Sequence, residues 1–445
     1  MSQDIVVKRG LDLKLIGKAS PRIYTPKPTE KFSIFPSDFH GVFPKLLVKE
    51  NDKILAGDTL FYDKNSERVR IVSPVSGIIH QIVRGERRRV LEIKIIADQE
   101  IIYKKNNKLD SFESTDILNF LLKNGLWVFV KQRPYDIIAD PDSVPRDIFI
   151  SGFDSFPLAA DYDFITKDEK ENITAAIIYL SKLTTGSIHI SIRKESNSFL
   201  RDLENVVIHN VTGPHPAGNL STVINKISPI NKGEIVWTIN IPDLSIIGNT
   251  ILTGRFAAKR LIATVGSSVS DPKYINTLIG ADVLSFLDLK NKKSRIISGN
   301  VLTGKKLESS FNLRYYSNEI TVIPEGDDYD LFGWAKPIFD KFSFSRALTF
   351  SWLFPDKEYD LNTNTNGEHR AFVVTGSFEE VFPLDIYPMQ ILKACMYEDL
   401  DEMESLGMYE ISPEDFALTE FICVSKQPHQ NIIRRGLDLM KKEIG

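Results

Sequence analysis

The segment from Val48 to Ile79 constrains this chain most, because apolar and polar residues alternate along it in two similar halves. Side chains two positions apart share a face of an extended strand, so the alternation indicates strands with one buried face. Gly57-Asp58 and Ser76-Gly77 supply turns, and the polar stretch from Asp63 to Ser66 is typical of a hairpin tip. The pattern predicts two quasi-equivalent strand pairs.

In order and spacing this segment resembles the biotinyl and lipoyl carrier domains, small flattened β-barrels in which a hairpin lysine carries the cofactor. Lys64 stands at that position, but Asp63 and Asn65 replace the methionines that flank a biotinylated lysine. Of the lipoyl pattern, Asp63-Lys64 alone is present. We interpret the barrel as structural, without a covalent cofactor, and leave the modification of Lys64 open.

The bulk properties indicate a folded, soluble protein with several domains. A chain of 445 residues is long enough for about three domains, and its 42% hydrophobic and 26% charged residues are ordinary for globular proteins. The formal net charge of -4 gives no electrostatic reason to bind nucleic acid. These values exclude a disordered chain and argue against a nucleic-acid-binding protein.

Charge and hydropathy also bear on location. No uncharged apolar stretch approaches the roughly 18 residues of a membrane helix, and Met1 to Asp4 show no apolar signal region. We therefore expect a cytoplasmic chain whose contact with a membrane is made by docking. The dense basic run Arg84 to Arg89 predicts a solvated loop, or one that faces an acidic partner or lipid headgroups.

The periodicities divide the chain into four predicted units: a barrel over residues 1–100, an α/β domain over 101–255, a small α+β unit over 256–330 and a helical domain over 331–445. In the second unit, strands alternate with helix-length connections, which favours a parallel sheet. Its predicted strands are Arg146 to Ser151, Ser187 to Ile192, Val206 to Ile208 and Glu234 to Ile239, and its predicted helices are Leu109 to Leu126, capped by Ser111 or Ser114, and Asp168 to Leu183.

The last two units are predicted from shorter patterns. The third has strands at Lys259 to Val265, Ser294 to Ser298 and Asn318 to Ile323, with a helix-like segment at Lys273 to Gly280. In the fourth, Pro388 to Leu406 and Pro413 to Phe421 are predicted helices. Neither unit contains a repeat or a low-complexity segment.

Nucleotide-binding patterns are incomplete. Gly299 to Lys306 has the spacing of a phosphate-binding loop, but Lys306 replaces the Ser or Thr that would hold Mg2+. We interpret this segment as a turn between strands. The first strand of the α/β domain is followed by Gly152 and the bulky Phe153 rather than by the glycine-rich dinucleotide fingerprint. The sequence thus predicts an α/β domain without its usual cofactor loop.

Metal and redox signatures are equally sparse. Cys395 and Cys423 are two cysteines where an iron–sulfur cluster normally needs four, and both have apolar neighbours typical of buried thiols. The histidines contain no His-x-x-x-His pair for zinc, and no Cys-x-x-Cys-His occurs for haem attachment. We predict no metal site in this chain.

The loop from Thr212 to Asn219 is the most unusual in composition, because two prolines flank His215 and two glycines bound them. Such loops often carry function. His215 can donate a hydrogen bond to a bound carbonyl, such as that of a quinone, or titrate near neutrality. The alternative is a rigid structural turn whose histidine is bonded internally.

Short segments along the whole chain resemble the NqrA family, the A subunits of the Na+-translocating NADH:quinone oxidoreductases. The segments are Lys8-Arg9-Gly10-Leu11-Asp12-Leu13, Asp63-Lys64, Pro74-Val75-Ser76-Gly77, Gly125-Leu126-Trp127, Arg133-Pro134, Leu158-Ala159-Ala160-Asp161, Leu183-Thr184-Thr185-Gly186, Gly213-Pro214-His215-Pro216-Ala217-Gly218, Thr253-Gly254-Arg255, Ile297-Ser298-Gly299, Leu331-Phe332-Gly333-Trp334 and Pro383-Leu384-Asp385-Ile386.

This resemblance implies a biotinyl/lipoyl-like barrel-sandwich domain, an α/β domain similar to the flavin-binding domain of complex I, a ubiquitin-like SLBB domain and a helical C-terminal domain. It implies a peripheral subunit on the cytoplasmic side of the bacterial inner membrane, assembled with five others, B to F. That complex passes electrons from NADH to a quinone and exports Na+, with FMN, FAD, riboflavin and iron–sulfur centres expected in the partner subunits.

The resemblance supplies no catalytic residue for this chain, which we interpret as an electron-input scaffold without its own redox centre at the quinone-reducing end. His215 and Trp237 are the candidate contacts with quinone or with a partner subunit. The sequence leaves ubiquinone and menaquinone open. The alternative is a free-standing lipoyl-type carrier or a non-covalent flavoprotein module.

Overall fold

The computed structural model describes residues 2–291, 293–326, 341–346 and 352–445, and the segment Leu331 to Trp334 lies outside them. The strands of the described residues are Asp4–Val6 (β1), Ser20–Tyr24 (β2), Lys31–Ile34 (β3), Pro44–Leu46 (β4), Lys53–Ile54 (β5), Thr59–Asp63 (β6), Ser66–Val72 (β7), Gly77–Arg84 (β8), Val90–Ala97 (β9), Lys131–Arg133 (β10), Ile137–Ile138 (β11), Ile148–Ser151 (β12), Ile188–Arg193 (β13), Val207–Thr212 (β14), Val236–Asn240 (β15), Lys259–Val265 (β16), Lys273–Leu278 (β17), Ser294–Ser298 (β18), Lys305–Lys306 (β19) and Glu319–Pro324 (β20).

The α-helices are Ser114–Lys123 (α1), Tyr162–Ile165 (α2), Lys170–Leu180 (α3), Leu220–Ile227 (α4), Ile241–Thr253 (α5), Phe378–Val381 (α6), Pro388–Tyr397 (α7), Leu400–Ser405 (α8), Ala417–Ile422 (α9) and His429–Glu443 (α10). Among these helices, none combines the length and the apolar character that a membrane crossing requires.

The alternating segment near the N-terminus folds into two facing sheets, ordered β3-β9-β8-β5 and β4-β6-β7. Leu60, Ile71, Ile79 and Ile93 are fully buried between them, as the period-two pattern predicts. Lys64 lies at the tip of the β6–β7 hairpin and is exposed, which confirms its predicted position. Its backbone N–H donates to Phe43 O over 2.8 Å, so the tip is held by the neighbouring strand.

Two strands from the segment assigned to the barrel pair elsewhere. Asp4–Val6 adds a parallel strand beside β14 of the α/β sheet, and Ser20–Tyr24 pairs with β17 of the third sheet. Their sequences are too short for periodicity to assign a partner. The N-terminal segment therefore ties three units together before the barrel begins.

The α/β sheet has the order β1-β14-β13-β12-β15-β10-β11. The first five strands are parallel, as the alternation of strands and helices predicts, and β10 and β11 continue the sheet in the antiparallel sense. Helices α3 and α5 pack on each other. Their close approach requires Gly248, where a Cβ would overlap the backbone of Asn172.

The third sheet has the order β19-β18-β20-β16-β17-β2 and its own apolar core. The helix expected at Lys273 to Gly280 is wrong, because Lys273–Leu278 is a strand that pairs antiparallel with β16. Pairing on both sides satisfies its backbone and overrides a local pattern that did not separate helix from strand. The segment after Gly299 is a turn in which Asn300 Oδ1 accepts from Leu302 N and Thr303 N, which confirms the turn between strands that the sequence predicts.

The C-terminal region is helical, with α10 packed on α7 and on the short 3-10 helix Pro413–Phe416. The helix predicted over Pro388 to Leu406 is two helices, because Glu398 takes a left-handed conformation with φ 57°. Asp399 then caps α8 by accepting a hydrogen bond from Glu402 N over 3.1 Å. Helix α1 likewise begins one residue after Glu113 and not at a serine cap.

Candidate functional site

The carboxyl edge of the parallel strands is the place where an α/β sheet normally binds ligands. The chain runs from β12 outward through β13 to β14 and then returns to place β15 on the other side of β12. The crevice beyond the ends of β12 and β15 is therefore the topological switch point of this sheet. It is bordered by the loop after Ser151 and by the start of α5.

The loop that contains His215 follows β14 at this edge and lies against the N-terminal segment. Leu11 N donates to His215 O over 2.8 Å, and His215 N donates to Asp12 Oδ1 over 2.8 Å. Gly10 has φ 149°, and a Cβ there would overlap the His215 carbonyl. Two of the segments that carry the resemblance are therefore one structural unit.

His215 is bonded internally. Its side chain is buried with 1% of its surface exposed, and Ser155 Oγ lies 2.9 Å from its Nδ1. Ser155 Oγ also accepts from Gly218 N over 2.8 Å, so the serine hydroxyl links the imidazole to the backbone of its own loop. Burial lowers the pKa of His215 to about 3, so it does not titrate near neutrality as its sequence suggested.

Trp237 lies in a different place. It is on β15 beside Ile148, the first residue of β12, so it is at the amino end of the switch point, away from His215. Its ring is 2% exposed and packs edge-on against Trp127, with centroids 5.1 Å apart. The structure does not bring the two candidates together, and neither side chain is open to a ligand.

Side chains of the third sheet fill the switch point from the β15 side. Arg260 of β16 is 3% exposed and donates to Asp243 Oδ1 of α5 over 2.5 Å. The same guanidinium donates to Asn318 Oδ1 over 3.0 Å. Burial raises the pKa of Asp243, while Arg260 opposes the shift.

From the β12 side, a second group of polar side chains meets the first. Asn318 Nδ2 donates to the Tyr162 hydroxyl over 3.2 Å, and the Asp154 carboxyl lies near the same hydroxyl. Glu319 accepts from Ala160 N over 3.1 Å. Burial raises the pKa of both Asp154 and Glu319, and each carboxylate repels charge on the other. Both carboxyls are therefore easier to protonate in the folded chain than in water.

The filled crevice does not fit a flavin or a dinucleotide. A pyrophosphate needs exposed backbone N–H groups at a helix N-terminus, but at Gly152 a Cβ would contact Ser191 and Leu200, and Phe153 is buried. The start of α5 is not available either, because its Asp243 is paired with Arg260. The misfit is one of packing.

Metal ligands are also not assembled in the described part of the chain, where no three His, Cys, Asp or Glu side chains are placed to hold an ion. Cys395 and Cys423 are free and buried. Burial raises the pKa of Cys395 to about 12, and its Sγ lies 3.8 Å from Met408 Sδ. Both thiols fit core packing.

The sequence did not single out the side chains that fill the switch point: Asp154, Tyr162, Asp243, Arg260, Asn318 and Glu319. A signal was present for two of them, because Arg260 and Glu319 stand at the start of strands whose following residues are mostly apolar. A charged residue on the buried face of a strand implies a buried partner. The sequence did not identify that partner.

A second buried cluster joins the α/β sheet to the C-terminal helices. Arg133 is 2% exposed and lies 3.4 Å from both Asp136 Oδ1 and Glu414 Oε1. Asn219, the residue that closes the His215 loop, donates to Asp415 Oδ1 over 3.2 Å. This cluster therefore ties the α/β sheet and the His215 loop to the C-terminal region.

Comparison with known proteins agrees with this architecture. Family models match the NqrA N-terminal barrel-sandwich hybrid domain at residues 5–98, the NqrA second alpha/beta domain at 112–256 and the NQRA C-terminal domain, an SLBB model, at 261–309. A solved NAD+-reducing [NiFe]-hydrogenase overlaps 74% of this chain and 61% of its own at 13% identity, but its TM-score of 0.37 carries no argument.

Curated relatives match from end to end. The A subunits of the Na(+)-translocating NADH-quinone reductases of Haemophilus influenzae strain 86-028NP and Neisseria meningitidis serogroup B are 34% identical to this chain, and each match covers 99% of this chain and 100% of the relative. The Hahella chejuensis protein of the same name is 33% identical with the same coverage. The chain therefore belongs to the NqrA family, the A subunits of the Na+-translocating NADH-quinone reductases.

Proposed function

We propose that this chain is the A subunit of a Na+-translocating NADH:quinone reductase, which couples electron transfer from NADH to quinone with the export of Na+. The relatives that carry this name match over 99% of the chain. In this proposal the chain lies on the cytoplasmic side of the inner membrane, assembled with subunits B to F. FMN, FAD, riboflavin and iron–sulfur centres belong to those partners.

The chain acts in this complex as a scaffold without its own redox centre. The observation that carries this proposal is the packed switch point, where Asp243, Arg260 and Asn318 occupy the crevice in which an α/β domain would bind a flavin. A scaffold of this kind has no catalytic residue, and the isolated chain is expected to be inactive.

The chain supports the quinone-reducing end through its surface. His215 and Trp237 are 1% and 2% exposed, so a quinone that meets this subunit meets other residues. Both side chains stabilise the sheet that presents this surface. A quinone contact here is one shared with a partner subunit.

A deletion strain tests this function. Loss of this chain is expected to abolish Na+-stimulated quinone reduction by membranes, while NADH oxidation with an artificial acceptor persists, because the electron-input centres are in other subunits. The matched control is complementation with the full chain, which is expected to restore the activity. Unimpaired quinone reduction in the deletion strain contradicts the proposal.

A second measurement tests the missing redox centre directly. The chain purified without its partners is expected to show no flavin absorbance after incubation with FMN or FAD. Stoichiometric retention of either flavin would assign a cofactor to this chain and overturn the scaffold role, while leaving its membership of the complex intact.

A further inference from the structure

The tip of the β8–β9 hairpin presents four arginines outward. Arg84 ends β8, and Arg87, Arg88 and Arg89 precede β9. The turn is closed by hydrogen bonds from Gly85 N to Arg89 O over 2.8 Å and from Arg89 N to Glu86 O over 3.1 Å. Arg87 and Arg88 both take left-handed conformations, with φ of 51° and 60°, which non-glycine residues seldom adopt in succession. All four residues are exposed.

These arginines have no carboxylate partner within the described ranges. The polar contact that their side chains make there is from Arg84 Nη1 to Arg88 O over 3.2 Å. Elsewhere in the chain arginines commonly pair with Asp or Glu: Arg22, Arg68, Arg133, Arg146, Arg260, Arg295, Arg314 and Arg434 all do so. The hairpin tip thus concentrates guanidinium charge that the fold leaves unneutralised.

An apolar side chain accompanies this charge. Leu91, the second residue of β9, is 44% exposed, and its side chain lies against Gly85, where a Cβ would contact it at 3.0 Å. The paired strands Gly77–Arg84 and Val90–Ala97 each span about 26 Å, so the tip is far from the base of the hairpin. Basic side chains beside an exposed apolar group are typical of surfaces that bind anionic membranes.

The charge distribution of the whole chain also favours an orientation in which the tip of the β8–β9 hairpin faces an anionic surface. Residues 1–100 contain 18 lysines and arginines against 13 aspartates and glutamates, although the chain as a whole has a net charge of -4. Residues 1–100, which include the barrel, are therefore positive and the remainder is negative. A negatively charged surface attracts the barrel and repels the rest.

We propose that the hairpin tip from Arg84 to Arg89 docks on anionic phospholipid headgroups. Guanidinium groups pair with phosphate in a two-pronged geometry, and four of them beside the single carboxylate of Glu86 match a plane of repeated phosphates. A protein surface, where carboxylates alternate with other side chains, is a poorer match. The proposal rests on the proposed function for the nearness of a membrane.

Vesicle flotation of the purified full chain tests this docking. Binding is expected to vesicles that contain phosphatidylglycerol and not to phosphatidylcholine alone, and to weaken as salt rises. Replacing Arg84, Arg87, Arg88 and Arg89 together by Gln is expected to lower the partition coefficient at least about tenfold, since each basic residue near an anionic surface contributes a severalfold factor. An unchanged unfolding temperature shows that the variant is folded.

The matched control removes four exposed cations from the C-terminal helices, as Lys393→Gln, Arg435→Gln, Lys441→Gln and Lys442→Gln, and is expected to retain binding. Equal loss in both variants, or no binding to anionic vesicles, overturns the proposal. So does binding of the tip to the assembled partner subunits that is insensitive to lipid charge, which would identify an acidic protein surface. None of these results depends on quinone reductase activity, so this proposal and the proposed function fail independently.

Discussion

The sequence suggested chemistry in two regions, the carboxyl edge of the α/β sheet and the hairpin tips of the barrel. Their charged side chains differ in environment, because those of the sheet edge are buried and those of the barrel tips are exposed. At the sheet edge, Asp243, Arg260 and Glu319 are buried and bonded to one another or to the backbone. At the barrel tips, Lys64 and the arginines of the β8–β9 turn are exposed, and the arginines have no carboxylate partner in the described chain.

This difference indicates that the position where a fold usually binds a ligand can serve instead as a contact between domains. In this chain the crevice is filled by side chains that link the α/β sheet to the third sheet. The charged side chains that stay exposed and free to bind partners are on the barrel, whose fold resembles that of carrier domains. Function is therefore inferred from the satisfaction of polar groups and not from their position in a known fold.

The largest expected effect is the loss of stability when the buried ion pair at the switch point is removed. Arg260→Ala leaves Asp243 buried without its partner, so we expect the free energy of unfolding to fall by about 3–5 kcal/mol in urea titrations. The control is Arg68→Ala on the barrel, where the ion pair with Asp142 is exposed and its loss costs about 1 kcal/mol or less. Equal losses at the two sites would show that the crevice is not a buried joint.

The second effect tests whether the close contact between Gly10 and the His215 loop contributes to stability. Gly10→Ala combines a left-handed backbone with an overlap against the His215 carbonyl, and we expect about 3 kcal/mol of destabilisation. Gly233 also has positive φ, but no atom lies within 4 Å of the position that a Cβ would take there, so Gly233→Ala is expected to lose about 1 kcal/mol. If the two variants unfold at the same urea concentration, the contact between Gly10 and His215 carries no stability.

How far the sequence predicts this molecule depends on the range of the forces involved. The barrel strands and the parallel strands of the α/β sheet follow from periodicity, because burial of one face or of both faces is written into neighbouring residues. Lys273–Leu278 and the partner of Asp4–Val6 do not follow, since contacts with other strands decide them. Lys273–Leu278 lies between its sequence neighbour β16 and the distant β2, and Asp4–Val6 pairs with the distant β14. The break at Glu398 depends on a cap that local composition did not reveal.

The site was less predictable than the fold. The loop around His215 was found by composition, and its structural alternative describes what the contacts show. The residues that close the switch point are common types at unremarkable positions, and their roles arise when the third sheet meets the α/β sheet. The Arg84 to Arg89 run was visible directly, because a solvated loop keeps its charges unpaired in sequence and in space.

The third effect is a pH dependence confined to the buried edge. The pKa of His215 falls to about 3 in the folded chain, against about 6.5 when it is unfolded, so the unfolded state binds more protons below pH 6.5. Stability from this group is complete above pH 6.5 and is lost as pH falls toward 3. Between about pH 6.5 and pH 5 we expect the chain to lose about 2 kcal/mol more than its His215→Asn variant.

This pH dependence is measured by urea titration at each pH. The control is His80→Asn on the barrel hairpin, which removes an exposed imidazole instead of the buried one. A His215→Asn profile that superimposes on that of the unaltered chain would mean that His215 is protonated as easily in the fold as in the unfolded state.

The smallest expected effect is at Lys64, at the tip of the β6–β7 hairpin of the barrel. Lys64→Gln is expected to change the free energy of unfolding by less than about 0.5 kcal/mol and to leave quinone reduction intact, because the exposed side chain is held by nothing in the described residues. Asp63→Ala is the matched contrast, since the Asp63 carboxylate accepts from Phe43 N and Asn65 N at the same tip, and we expect it to lose about 1–2 kcal/mol. Intact-mass measurement of the chain from its native membranes is expected to give the mass of the bare sequence. A lipoyl-sized increment on Lys64, together with loss of activity in Lys64→Gln, would restore the carrier function to a tip that its fold and its neighbours present as an ordinary turn.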